Sequence, residues 1–176
     1  MRISLSEVIV SGGTGKKTDV PLEAEKFLFG GIEYAYAKKS PVHIELNYIS
    51  SKSVRFKAEG SFELEAECSR CLKPVMLPFE INTDTILVLN DDGRACTKDD
   101  DELLEYVEDR ELDVDGFVNE EIMIGFPMQV LCGEDCKGLC PVCGADLNKG
   151  ECGCDRVVLD PRMSKIRDLF LQDKEV

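Results

Sequence analysis

An α+β fold is predicted for this chain: an antiparallel β-meander that could curl toward a barrel, few short helices, and a cysteine-rich metal module near the C-terminal end. Three features carry that reading. Apolar residues recur at every second position from Pro41 to Leu89, six of the nine cysteines fall between Cys132 and Cys154, and clear helical spacing is confined to the later part of the chain. At 176 residues and 43% hydrophobic content, the chain is large enough for one core. The expected division is a β-rich core over 1–130 with an acidic loop at 90–111, a cysteine-rich zinc module over 131–160, and an amphipathic helix over 161–176 packed on the core.

Taken in order, Ile3, Leu5 and Val8-Ile9-Val10 predict a strand that ends in the glycine-rich turn from Ser11 to Gly15. A strand running into glycines and Lys16-Lys17 invites a phosphate-loop reading. Aligned on Lys17-Thr18, the obligatory glycines fall on Ser11 and Lys16, so that motif is rejected. Val42, Ile44, Leu46 and Tyr48 then alternate with His43, Glu45 and Asn47. Val54, Phe56 and Ala58 follow, then Phe62, Leu64, Ala66 and Cys68 against Glu63, Glu65 and Glu67. Val75, Leu77, Phe79 and Ile81 predict a return strand, and Ile86 and Val88 another. The acids of Asn90-Asp91-Asp92-Gly93 and Asp99-Asp100-Asp101-Glu102 predict a solvated loop. Leu112-Asp113-Val114 reads as a short strand, with Asp115 capping a helix from Gly116 to about Met123 that Pro127 stops. Asp160-Pro161 opens the last helix, whose apolar positions are Met163, Ile166, Leu169 and Phe170.

The cysteines carry the chemistry. Cys140-Pro141-Val142-Cys143-Gly144 followed by Cys152-Gly153-Cys154 has the spacing of a tetrahedral thiolate site for Zn²⁺. Met1 to Glu7 holds one basic residue and no long apolar run, which predicts a cytoplasmic protein whose thiols stay reduced and favours metal over disulfides. Cys132 and Cys136 could meet the distant Cys68-Ser69-Arg70-Cys71 knuckle at a second zinc. A competing partition gives Cys136, Cys140, Cys143 and one of Cys152 or Cys154 to a single ion, because thiolates one residue apart strain to share a metal. Spacing leaves both open, with one zinc or two.

Charge and missing chemistry narrow the function. With 21 basic and 35 acidic residues the net charge is −14, which opposes general nucleic-acid binding and suits a basic protein partner. A local cationic patch built from Lys52, Arg55, Lys57, Arg70 and Lys73 is where direct RNA binding would have to reside. His43 is the only histidine and stands on the polar face of its strand, which removes Cys-His pairs, HExxH sites and histidine-based triads.

The knuckle Cys68-Ser69-Arg70-Cys71-Leu72-Lys73-Pro74, the block from Gly138 to Asn148, Cys152-Gly153-Cys154 and Asp160-Pro161-Arg162 together resemble the YceD family, the large ribosomal RNA subunit accumulation proteins. The resemblance implies a bacterial cytoplasmic protein, not an enzyme, that supports production or retention of large-subunit ribosomal RNA. Joined to the charge, it implies an assembly factor whose acidic surface meets a basic ribosomal protein or a pre-ribosomal particle while a zinc module fixes the docking geometry. Two alternatives stand beside it: direct rRNA binding through the cationic patch, and a redox or zinc-release sensor in which Cys96 is the exposed thiol.

Overall fold

Period-two patterning builds strands much longer than those of a short-stranded meander. The computed structural model describes residues 1–11, 15–98 and 100–155. Its elements are β1 (Arg2–Ser4), α1 (Leu5–Ser11), β2 (Lys16–Val20), β3 (Lys26–Phe29), β4 (Ile32–Lys39), β5 (Val42–Ser50) and β6 (Ser53–Glu67). They continue as β7 (Pro74–Leu89), β8 (Ala95–Thr97), β9 (Asp100–Leu103), β10 (Val107–Glu108), β11 (Glu111–Asp113) and α2 (Val114–Gly125). Among the described residues every strand pairing is antiparallel, and the two sheets run β1-β11-β10 and β2-β5-β6-β7-β8-β9, the second with the β3–β4 hairpin alongside β6. The architecture is α+β, as the sequence predicts. The larger sheet stays open, however, because β2 and β9 at its ends do not pair; the barrel closure is corrected.

The two apolar runs expected as separate strands form one 15-residue strand, β6, and the return strand continues unbroken into the next as the 16-residue β7. Phase explains the fusion. Val54, Phe56, Ala58, Phe62, Leu64 and Ala66 are all buried, and Gly60 keeps the alternation between them while pairing with Ile81. Along its other edge β6 carries two strands end to end, β5 against residues 53–59 and β4 against residues 62–65. Ser40 closes the gap: its N–H donates to the Ser61 carbonyl (3.0 Å) and its Oγ accepts the Ser61 N–H (2.7 Å).

Three other expectations are corrected. The N-terminal strand stops at Ser4 and gives way to α1, because Leu5 and Val8 recur at helical spacing and are buried while Val10 faces out. The acidic segment is not simply a solvated loop: it holds β8, β9 and β10, and Ala95, Tyr106 and Val107 between its acids enter the core. Asp115 does not cap α2. The N-cap is Asp113, without a side-chain capping bond, and Asp115 Oδ1 instead accepts the N–H groups of Glu23 (2.9 Å) and Ala24 (3.0 Å). Helix α2 buries Val114, Phe117, Val118 and Ile122, with Phe117 edge-on to Phe56 (4.9 Å) and Tyr106 (5.4 Å). It ends at Gly125, before Pro127, and the expected final helix over 161–176 lies outside the described residues.

Candidate metal centre

Knuckles and turns bring eight cysteines into two groups. Cys68 follows the last residue of β6 and Cys71 precedes β7, so the long hairpin presents both thiols at its tip. The Leu72 N–H donates to the Cys68 carbonyl (2.9 Å), and the Cys68 N–H to the Lys73 carbonyl (2.8 Å). Cys140 repeats the turn: the Gly144 N–H donates to the Cys140 carbonyl (2.8 Å) and the Cys140 N–H to the Ala145 carbonyl (2.8 Å). Leu72 (φ 59°) and Gly144 (φ 73°) hold equivalent places with left-handed backbone, easy for glycine and strained for leucine.

The structure gathers Cys68, Cys71, Cys132 and Cys136 in one group and Cys140, Cys143, Cys152 and Cys154 in the other; within each, all sulfurs lie within 4.8 Å of one another. It therefore places Cys136 apart from Cys140, and both Cys152 and Cys154 beside Cys140. The described cysteines are all free. Sulfur separations are 3.8 Å for Cys68–Cys136 and 3.5 Å for Cys71–Cys132. A disulfide needs about 2.0 Å. A tetrahedron of sulfurs each about 2.3 Å from a central ion has edges of about 3.8 Å, so the donor set and its spacing fit a metal ion.

Electrostatics within each group favour a cation. Burial alone would push the Cys68 thiol up, but backbone N–H groups of Arg70, Cys71 and Cys132 hold it down at about 6. Neighbouring Cys71 and Cys136 push Cys132 up to about 12. In the second group the Cys143 and Val142 N–H groups lower Cys140 to about 6, while Cys143 and Cys152 raise Cys154 to about 12. One thiolate thus forms easily while the crowding of neighbouring sulfurs disfavours charge on another; a divalent ion relieves that crowding of charge, and its binding releases protons.

Hydrogen bonds tie the groups together. The Leu139 N–H donates to the Arg70 carbonyl (3.1 Å) and Arg70 Nη1 donates to the Cys136 carbonyl (2.9 Å). Lys73 Nζ lies 2.9 Å from Asp146 Oδ2, and Asn148 Nδ2 donates to Asp146 Oδ1 (2.9 Å) and to Cys136 Sγ (3.6 Å). Bonds from Lys73 and Asn148 hold the Asp146 carboxyl down at about 2. Asp146 and Asn148 were not singled out individually from the sequence; their position between two cysteine pairs was the available signal.

The five nominated cations do not share one surface. Lys52, Arg55 and Lys57 sit at one end of β6 and Arg70 and Lys73 beyond the other, roughly 40 Å away at 3.3 Å per residue. Each also has a partner: Asp91 for Lys52 (2.5 Å), Asp84 for Arg55 (2.8 Å) and Lys57 (3.2 Å), the Cys136 carbonyl for Arg70 and Asp146 for Lys73. Cys96, expected to be exposed, is half-buried on β8 with its sulfur 3.8 Å from the Val88 carbonyl oxygen. His43 of β5 pairs with Asp19 of the neighbouring β2, both side chains exposed. Among the described residues no helix is long and apolar enough to cross a membrane.

Beside the first cysteine group, β4 separates from β6 beyond the Ala35–Glu65 pair and opens a cleft of about 620 Å³. Ile32, Leu72 and Val130 supply apolar walls, and Glu33, Glu65 and Glu67 supply acids.

The stretch that carries both cysteine groups lies within a match to a known family. The model of the family described as large ribosomal RNA subunit accumulation protein YceD matches residues 55–170. An uncharacterized protein of Bacillus subtilis, YlbN, is 36% identical over 138 residues, which is 77% of this chain and 78% of that protein. An uncharacterized protein of Mycobacterium bovis is 30% identical over 59% of this chain and 49% of its own length. The chloroplastic large ribosomal RNA subunit accumulation protein YCED homolog 1 of Arabidopsis thaliana is 31% identical over 38% of this chain and 21% of its own length. No solved structure matches.

Proposed function

The chain belongs to the large ribosomal RNA subunit accumulation protein YceD family, and from that premise we propose that it is a non-enzymatic zinc-binding factor of large-subunit biogenesis whose acidic surface receives a basic ribosomal protein. Cytoplasmic action follows from that role. The observation that carries the reading is the charge: −14 overall, with Lys52, Arg55, Lys57 and Lys73 engaged in ion pairs and Arg70 bonded to a backbone carbonyl. Opposite charge would speed the encounter with a cationic partner and make it salt-sensitive.

The cleft between β4 and β6 offers that surface a defined place. Among the described residues no ion pair engages Glu65 or Glu67, and Ile32 and Leu72 beside them are more than half exposed. A segment carrying lysine or arginine next to an apolar side chain matches both features. The two cysteine groups would each hold one Zn²⁺. Four thiolates leave no coordination position for a substrate, so the first ion would cross-link the 131–160 module to the hairpin tip next to the cleft and the second would close the module's own Cys140–Cys154 loop. All eight clustered cysteines are assigned as ligands in this reading.

Pull-down with the full chain at low and high salt, followed by mass spectrometry, tests the proposal. Basic large-subunit proteins should be recovered at low salt and lost at high salt. Combined Glu33→Gln, Glu65→Gln and Glu67→Gln substitution should weaken capture by roughly tenfold, equivalent to about 1.4 kcal/mol. Recovery of naked rRNA without ribosomal proteins would overturn this reading in favour of the direct RNA one.

A further inference from the structure

We propose that Asn148, carried by the second cysteine group, is a positioning residue for the first, so that the first group's grip on its metal depends on the second group being formed. The inference rests on the reading that both groups hold zinc. Its starting point is the orientation of one amide. Asn148 Oδ1 accepts the Lys137 N–H (2.8 Å), which fixes the carbonyl end of the side chain and leaves Nδ2 to donate to Cys136 Sγ (3.6 Å) and Asp146 Oδ1 (2.9 Å). A donor aimed at a ligating sulfur stabilises negative charge on it and sets its direction, and partners of this kind commonly change metal affinity by about 10- to 100-fold.

Asn148 can do this only if its own segment is shaped. That segment is a small hairpin in which Leu139 bridges Asp146 and the Leu147 N–H donates to the Gly138 carbonyl (3.0 Å). Its turn is the Cys140–Gly144 knuckle, and its two branches lead to Cys140 and, beyond Asn148, to Cys152 and Cys154. The second group therefore clamps the hairpin that delivers Asn148. The same hairpin grips the first knuckle twice more, through Leu139 on the Arg70 carbonyl and Asp146 on Lys73.

The order of formation, though not the reciprocal coupling of affinities, runs one way because the two groups close very different lengths of chain. The second draws all its ligands from Cys140 to Cys154, a local loop, whereas the first joins Cys68 and Cys71 to Cys132 and Cys136 across the sheet. The local group can form without the distant one. The distant group receives Asn148, the Asp146–Lys73 pair and the Leu139 bond only after the local hairpin exists.

Full-length protein loaded with ¹¹³Cd²⁺ as the probe, read by cadmium NMR and chelator competition, provides the test. Wild type should show two cadmium resonances. Asn148→Ala should shift the resonance that Cys68→Ser abolishes and speed release from that site by about 10- to 100-fold, with the other site unchanged. Asn148→Asp, which keeps an acceptor for Lys137 but has no donor for sulfur, should reproduce the loss. Joint Cys140→Ser and Cys143→Ser substitution should weaken the first site, whereas Cys68→Ser should leave the second site formed and still loaded with cadmium. Two bound ions with release unaltered in both Asn148 variants, or weakened equally at both sites, would overturn the coupling and leave the zinc reading standing. A chain that binds no cadmium would overturn both.

Discussion

Leucine stands at position 72 where the sister knuckle has glycine, and the same backbone is required of both. A left-handed leucine is strained by about 1–2 kcal/mol. Leu72 is 60% exposed and so recovers little of this through burial. Leu72→Gly should raise stability by about 1 kcal/mol, seen as a higher urea midpoint at unchanged slope. If the cleft receives the partner, the same variant should bind it less well, since an apolar wall is removed. Asp115 supplies a second prediction. Burial alone would raise its carboxyl, but the bonds from the Met1 amino group and from the Ala24 and Glu23 amides lower it below its ordinary value. A depressed acid contributes stability that is present above its unfolded value, about 3.9, and is lost as pH falls through the folded value. Asp115→Asn should therefore cost about 1–3 kcal/mol at neutral pH and flatten the acid limb of the stability profile below about pH 4. The cysteines were legible at this scale because their chemistry is local. Asp115 was misread as a cap because its real partners, Glu23 and Ala24, lie some 90 positions away in sequence.

At the scale of elements, the hairpin that carries the second cysteine group is seated on the first knuckle by a close backbone approach at Gly138. Its φ is 75°, and a Cβ there would lie 2.9 Å from the Arg70 carbonyl oxygen. Gly138→Ala should therefore cost more than the roughly 1–2 kcal/mol of the left-handed conformation alone. The loss should stay local: amide hydrogen exchange should accelerate across residues 132–154 while β6 and β7 keep wild-type protection. The sequence showed the period and phase of β6 and β7, but an apolar run broken by Gly60 and another broken by Asn82 and Thr83 read as four strands. Only cross-strand pairing, Gly60 with Ile81 and Ala58 with Thr83, shows the runs to be continuous. The β3–β4 hairpin was legible and went unread. Phe29-Gly30-Gly31-Ile32 is a two-glycine hairpin signal, and both glycines have positive φ. α1 was less legible, because Ile3, Leu5 and Val8 fit either period over so few residues.

Over the whole molecule, buried residues divide into two unequal cores, and that division determines what metal removal does. The larger core joins both sheets, α1 and α2 through residues such as Phe27, Phe56, Phe62 and Phe117 and includes none of the clustered cysteines. The smaller contains Cys68, Cys71 and Cys136, with Val75, Leu131 and Leu139 packed against them. Apolar burial alone sustains the first, whereas the second is too small to offset the conformational entropy of ordering residues 132–154 without a cross-link. A chelator applied under reducing conditions should leave the far-ultraviolet β signal and the main thermal transition nearly unchanged while amide protection across 132–154 is lost. Returning Zn²⁺ should restore protection in proportion to the ratio of free ion to its dissociation constant. Because the cleft borders Cys68 and Leu72, stripped protein should also lose salt-sensitive capture of the basic partner despite its intact sheet. Collapse of the β signal on chelation would show instead that metal holds the whole fold. Capture unchanged after stripping would separate the acidic surface from the cysteine module and leave charge alone to account for binding.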